Sequence, residues 1–272
     1  MRTGTAAGIA AVGLAAGAAM TRAAQARPEV HDLDGRTVLV TGANSGIGLE
    51  TCVALARGGA HVLAATRDPD RGRTAVDEIR RRAERRAVEH VPLDLGDLTS
   101  VRRAAADVAS RVDALDVVVH NAGALIGAPG RTVDGFETTI GVNHLGPFLL
   151  THELAPLLVA APAARVVTVA SLAHRRGELD VDDLMFDRRP YQPMVVYGTS
   201  KLANILFARE LAAHVAHLGI TSNSLHPGTV RSGFGRNADG HWLLRLGVRV
   251  AAPLFVDAER GASTSVHLAG AP

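Results

Sequence analysis

The chain has 272 residues, 47% of them hydrophobic and 21% charged, with a formal net charge of +2. This is a globular composition, long enough for one large α/β domain and cramped for two. The single cysteine, Cys52, excludes a disulfide framework and fits a reducing compartment, and no Cys pair or Cys/His cluster has metal-ligand spacing.

In chain order, residues 1–32 form an Ala/Gly-rich tail, set apart from a domain over 33–272. Residues 6–20 are an apolar run with Arg2 before it and Arg22 and Arg27 after it. At about 15 residues the run is short of the ~20 that cross a bilayer. It reads as a peripheral or anchoring helix, as a disordered tail or misplaced start, or as a cleaved signal, since Ala24-Gln25-Ala26 resembles a signal-peptidase site.

Strands are predicted at 37–41, 61–66, 87–93, 115–120, 165–171 and 220–226. Helices are predicted near 46–57, 70–86, 98–111, 135–158 and 194–217. Apolar strands such as Val117-Val118-Val119 do not alternate with polar residues, as expected when both faces of a sheet are covered. Strands separated by helices imply βαβ units and hence an α/β fold: a single Rossmann-type domain with a doubly wound parallel sheet and helices on both faces. Cys52 falls in the first helix and reads as a small buried residue. The run Arg80-Arg81-Arg82…Arg85-Arg86 closes a helix, where cations are favoured, and reads as a solvated end. Aromatics are only 3% and no nucleic-acid-reading motif appears, so no nucleic-acid partner is expected.

Thr41-Gly42-Ala43-Asn44-Ser45-Gly46-Ile47-Gly48 joins the first strand to the first helix. Glycines there let the backbone approach a pyrophosphate, and the helix N-terminus supplies N–H donors. Where NAD-preferring members of such folds place an acid after the second strand, this chain has Thr66 and Arg67. A guanidinium suits a 2′-phosphate, so NADP(H) is expected over NAD(H). Asp68 either caps the next helix or reaches the ribose.

Of 29 Lys+Arg only Lys201 is lysine, and Tyr191 and Tyr197 are the only tyrosines. Tyr197 and Lys201 are four apart in a predicted helix and share a face. A free phenol, with a pKa near 10, is a poor acid–base catalyst near neutrality, and a neighbouring ammonium is expected to lower that value. Arginine is no substitute for a compact ammonium on a flexible stem. Ser171 ends the fifth strand at the carboxyl edge, where open α/β sheets bind ligands, and can hydrogen-bond a substrate oxygen.

Together these motifs resemble the short-chain dehydrogenase/reductase family, from about Gly35 to Gly270. The resemblance implies a tetrad of Asn143, Ser171, Tyr197 and Lys201, with Asn143 in the helix 135–158 acting through water. It places cofactor contacts at Gly42, Asn44, Ser45, Gly46, Ile47, Gly48, Asp94 (adenine), Leu95 (packing on adenine), Asn121-Ala122-Gly123, and Pro227, Gly228, Val230 and Ser232. The same residues leave plainer readings open: helix caps at Asp94, Asp97 and Thr99, and a strand-end cap at Ser171.

Asn143-His144-Leu145-Gly146-Pro147-Phe148 and Leu225-His226-Pro227-Gly228 look most like the retinol-dehydrogenase and protochlorophyllide-reductase branch. That implies NADP(H), a lipophilic carbonyl or alcohol, and a cytoplasmic location with membrane contact through the N-terminus. The chain ends at Ala271-Pro272 without the family's seventh strand, which bears on stability and on pairing into a homo-oligomer. Substrate-pocket candidates lie in 172–194 and 234–255, the latter with Trp242, Leu243, Leu244 and Leu246. The rival reading is a non-catalytic NADP(H)-binding regulator or scaffold; a sugar epimerase, with its larger C-terminal domain, fits less well.

Overall fold

The computed structural model describes residues 27–228, 230 and 256–271. Six strands, β1 (Thr37–Thr41), β2 (His61–Thr66), β3 (Val88–Pro92), β4 (Val117–His120), β5 (Arg165–Val169) and β6 (Thr221–Leu225), form one sheet in the order β3-β2-β1-β4-β5-β6. Every pairing is parallel. The order reverses between β1 and β4, and this switch point opens the crevice at the carboxyl edge.

The four central strands of the sheet are buried on both faces. Val38, Val40, Val62, Val119 and Val167 pack under α1 (Gly46–Arg57), α2 (Pro69–Ala83) and the C-terminal helices α8 (Ala258–Gly261) and α9 (Ser263–Gly270). Leu39, Leu63, Val118 and Val166 face α3 (Leu98–Arg111), α5 (Gly146–Glu153) and α6 (Ala155–Ala160). Uninterrupted apolar strands are the direct consequence. The arginine-rich end of α2 is also a tie: Arg82 makes a forked pair with Glu50 of α1, at 2.8 and 2.6 Å.

The helix expected over 135–158 is broken. A short α4 (Thr138–Ile140) runs into a π turn, Gly141–Leu145, before α5 and α6 begin. Pro147 lacks an N–H and cannot donate to the carbonyl four residues back, that of Asn143. Gly146 N–H reaches instead to Gly141 O, five back, and the freed Asn143 oxygen accepts from Asn204 Nδ2 at 3.0 Å. The helix expected over 194–217 begins one residue earlier as α7 (Pro193–Val215) and ends in a 3-10 turn, Ala216–Leu218. That expected over 70–86 closes at Ala83, where Glu84 takes a left-handed conformation.

His120 is buried at the end of β4. Its Nε2 lies 2.7 Å from Thr151 Oγ1, whose own proton goes to Pro147 O at 2.9 Å, so Nε2 carries the hydrogen. Nδ1 has no partner among the described residues, and burial lowers the ring's pKa to about 4. As pH falls from about 6.5, the unfolded chain binds a proton that the folded one refuses. Stability should therefore decline between about pH 6.5 and about 4 by about 3 kcal/mol from this group. Denaturant titrations should show that slope, and His120→Leu should remove it.

Candidate active site

Tyr197 and Lys201 sit one turn apart on α7, 7% and 2% exposed. Lys201 Nζ donates to Val169 O at 2.9 Å, the last residue of β5, and lies 5.7 Å from the centre of the Tyr197 ring. Two residues beyond Val169, Ser171 hydrogen-bonds the Tyr197 side chain. Ser171 also caps a 3-10 turn, Leu172–Arg176, through Ala173 N at 3.2 Å, so the capping and site readings of this residue hold together.

The separation of Ser171 from Tyr197 is set by backbone packing. A Cβ on Gly177 would lie 2.6 Å from the main chain of Gly198, and one on Gly198 would lie 2.5 Å from Ala173 O. Only glycine on both sides admits that approach. Thr199 completes the clamp, its Oγ1 accepting from Glu178 N at 3.0 Å and donating to Glu178 O at 3.2 Å. Gly198 and Thr199 lie inside the Tyr-to-Lys spacer, but their partners Gly177 and Glu178, 21 residues upstream, have no marker in the sequence.

Asn143 projects from the π turn rather than from a regular helix. Its Oδ1 accepts from Ala124 N at 2.8 Å, and its Nδ2 donates to Ala124 O at 2.9 Å and to Ser200 Oγ at 3.0 Å. Ser200 Oγ in turn donates to Tyr197 O at 2.7 Å. Asn143 therefore fastens the loop after β4 to the helix that carries Tyr197. The position a Gly123 Cβ would occupy lies 3.1 Å from Lys201 Nζ and 3.7 Å from Asn143 Oδ1, so those two groups both flank Gly123.

The loop between β1 and α1 has the features a pyrophosphate requires. Gly42 has φ +67°, and a Cβ on Gly48 would overlap Gly42 O and the Asn121 side chain. Ser45 stands at the N-cap without a capping side-chain bond, and no acid occupies the first turn. The N-terminal N–H groups of α1 are left for an anion. Asn121 Nδ2 donates to Thr41 O at 2.9 Å, while Asn121 N and Ala122 N donate to Thr41 Oγ1 at 3.1 and 3.0 Å, tying β4 to β1 at the cradle floor. Val230 packs on Gly261 beside Ile47, bringing that segment to the same cradle.

At the end of β2, Asp68 caps α2, accepting from Asp70 N at 2.9 Å and Arg71 N at 3.0 Å. The Arg71 and Asp70 N–H groups, with Arg71 and Arg67 nearby, hold its carboxyl below the usual range despite an opposing desolvation contribution. Both capping bonds fall on Oδ1, and Arg67 beside it is exposed. Asp94 Oδ1 accepts from Gly96 N at 2.9 Å, and Asp97, not Asp94, caps α3. Leu95 is buried in the core facing α3 and α5, a packing role that sequence alone did not indicate. Pro227 and Gly228 follow β6. Ser232, the pocket segment 234–255 and the tail run 6–20 lie outside the described residues.

Electrostatics correct one expectation. Burial pushes the Tyr197 phenol up to about 12, opposed only in part by the Ser171 hydrogen bond, and burial lowers the Lys201 ammonium to about 8. The anticipated lowering of the phenol by the ammonium does not prevail, because both groups have lost water and Nζ is directed at a carbonyl.

The match to known proteins agrees with this geometry. The model of the short chain dehydrogenase family matches residues 36–241. Retinol dehydrogenase 12 of Mus musculus is 43% identical over 237 residues, covering 87% of this chain and 74% of its own. Human retinol dehydrogenase 13 is 39% identical over 237 residues, covering 86% and 72%. A solved structure from Beutenbergia cavernae, described as an NAD(P)-dependent gluconate 5-dehydrogenase with bound NADP, has TM-score 0.71 and 28% identity over 89% of this chain and 92% of that one. The chain belongs to the short-chain dehydrogenase/reductase family, whose members are NAD(P)-binding oxidoreductases acting on alcohols or carbonyls. Within it, the chain falls in the retinol dehydrogenase branch.

Burying an ammonium also has a cost to stability that can be measured. The folded pKa of Lys201 lies below the unfolded value of about 10.4, so the penalty is full below pH 8 and vanishes above the unfolded value. Wild-type stability should therefore rise by about 3 kcal/mol from this group between about pH 8 and 10.5 in denaturant titrations, a rise that Lys201→Met should abolish.

Proposed function

We propose that this chain transfers hydride reversibly between NADP(H) and the carbonyl or alcohol of a lipophilic small molecule. One observation carries the reading: the Ser171 hydroxyl, the Tyr197 phenol and the Lys201 ammonium converge at the carboxyl edge of the sheet, beside a glycine cradle. The cradle (Gly42, Asn44, Ser45, Gly46, Ile47 and Gly48), with Asn121-Ala122-Gly123 beneath it, would hold the pyrophosphate and the reactive end of the cofactor. The bound cofactor supplies the hydride.

In carbonyl reduction Tyr197 gives its proton to the substrate oxygen, which Ser171 orients by a hydrogen bond. A phenol held protonated by burial is the correct starting form for that step. Lys201 spends one of three donors on Val169, leaving two for the nicotinamide ribose and for a water beside Gly123. With a pKa near 8, it can pass a proton back towards the phenol at neutral pH. Asn143 also flanks Gly123 and keeps one Oδ1 lone pair for that water.

NADP(H) is favoured because Arg67 is exposed beside the β2 terminus while Asp68, the only acid placed to accept a ribose hydroxyl there, caps α2. Arg67→Ala should raise the KM for NADPH at least about tenfold, the loss expected for a charge-assisted contact, and leave that for NADH little changed. Undiminished NADPH preference would refute the assignment. A lipophilic substrate is supported by Leu125, Ala173 and Met194 around Tyr197, and by the retinol named for the relatives. The apolar run 6–20 supports membrane contact through the N-terminus, although no helix among the described residues is long and apolar enough to cross a membrane.

NADPH oxidation screened over retinals, steroids, aliphatic aldehydes and quinones tests the whole scheme. Turnover of at least one class is expected, and Tyr197→Phe should lower it by about 100-fold or more while NADPH still binds. NADPH binding without turnover on any class would favour the non-catalytic regulator instead.

A further inference from the structure

The loop after β4 has no regular structure, yet three consecutive residues of it are fixed from outside. Ala124 exchanges two hydrogen bonds with the Asn143 side chain, at 2.8 and 2.9 Å. Ile126 O accepts from the Tyr191 hydroxyl at 3.1 Å. Between them Leu125, only 8% exposed, packs on Tyr197 together with Ala173 and Met194. Its backbone is thus held on one side by Asn143 and on the other by Tyr191, the first of the chain's two tyrosines.

Both restraints border one buried carboxylate. Glu137 is 2% exposed and accepts from Thr139 N at 2.9 Å and Ile140 N at 2.8 Å, capping the short helix that runs into the π turn of Asn143. Its Oε1 also lies 3.4 Å from the Tyr191 hydroxyl. A phenol has one proton to give, and the shorter contact directs it to Ile126 O. Burial, opposed in part by a hydrogen bond with Thr139 and reinforced by the charge of Glu137, favours the protonated phenol and so keeps that donor in place.

We propose that Tyr191, through its hydrogen bond to Ile126 O, is a positioning residue that holds Leu125 as a rigid wall of the substrate site and thereby sets selectivity among apolar carbonyls. The inference rests on the assignment of Tyr197 as the proton donor to substrate. A fixed wall one side chain from the phenol admits a rigid, extended ligand in few poses, whereas a short flexible chain adapts to either a fixed or a yielding wall. Loosening the wall therefore affects rigid substrates first.

The test uses the full chain and two aldehydes, all-trans-retinal as the rigid probe and hexanal as the flexible one, with steady-state kinetics for each. Tyr191→Phe removes the hydroxyl and keeps the ring. It should raise the KM for retinal about fivefold, the size of one lost hydrogen bond, with kcat for hexanal and the KM for NADPH unchanged. Leu125→Val, which shortens the wall without touching the hydrogen bonds, should shift the retinal-to-hexanal ratio of kcat/KM by itself and provides the test should Tyr191→Phe fold poorly. In the double variant the two effects should be less than additive, since both act through one side chain.

An unchanged selectivity ratio in both single variants would overturn the proposal, as would strict additivity. A parallel fall of kcat for both aldehydes with a rise in the KM for NADPH would also overturn it, marking Tyr191 as a general structural residue. Absence of turnover by the parent protein on every carbonyl would instead remove the catalytic reading on which the proposal stands.

Discussion

Lys201 Nζ donates to the main-chain oxygen of Val169, and through that one contact the middle of α7 is seated over the end of β5. Everything at the carboxyl edge takes its place from there. Val169 is two residues from Ser171, and Lys201 is one helical turn from Tyr197, so a single buried hydrogen bond brings hydroxyl and phenol into register. Burying an ammonium is unfavourable unless its donors are met. The carbonyl meets one of them, and the other two have no hydrogen-bond partner among the described residues. The residue that organises the site is therefore one that gains from a ligand.

Close backbone contacts carry the rest of the geometry. Gly177 against Gly198 brings the 172–177 turn onto α7, and Thr199 locks it with two hydrogen bonds to Glu178. Gly48 against Gly42 and Asn121 does the same at the cofactor end. At both places the main chains are nearer than any side chain permits, so each half of the site is as stiff as the sheet and helix on which it stands. Polar side chains then bridge the halves: Asn143 joins the loop after β4 to α7, and Asn121 joins β4 to β1.

Low dielectric affects the ionisable pair in opposite directions. Burial moves the phenol and the ammonium each towards its neutral form, up to about 12 and down to about 8. The phenol is stored as an acid, which suits donation to a carbonyl oxygen, and the ammonium is brought near physiological pH, which suits proton exchange. Leu125, Ala173 and Met194 pack around the phenol's ring.

Residue types and their spacing determined the architecture of this protein and pointed to the chemistry proposed for it. Apolar strands without alternation meant a sheet covered on both faces, the glycine run between β1 and α1 pointed to the proposed phosphate cradle, and a solitary lysine four residues from a tyrosine pointed to the proposed acid–base pair. Each of these is a local pattern, and local geometry is enough to read it. Tertiary structure alone decided the features that depend on partners far apart in the chain. Asn143 lies in a π turn because Pro147 cannot donate to its carbonyl, and that break, though written in the sequence, acquires its meaning only when Asn204, 61 residues away, takes the freed oxygen. Leu95 is buried in the core, Gly177 finds Gly198, and Tyr191 reaches Ile126 through contacts that no window of sequence contains. The direction of the Tyr197 shift belongs here too: spacing shows that an ammonium is near, but only the packed structure shows how much water has been removed from both groups, and desolvation outweighs proximity.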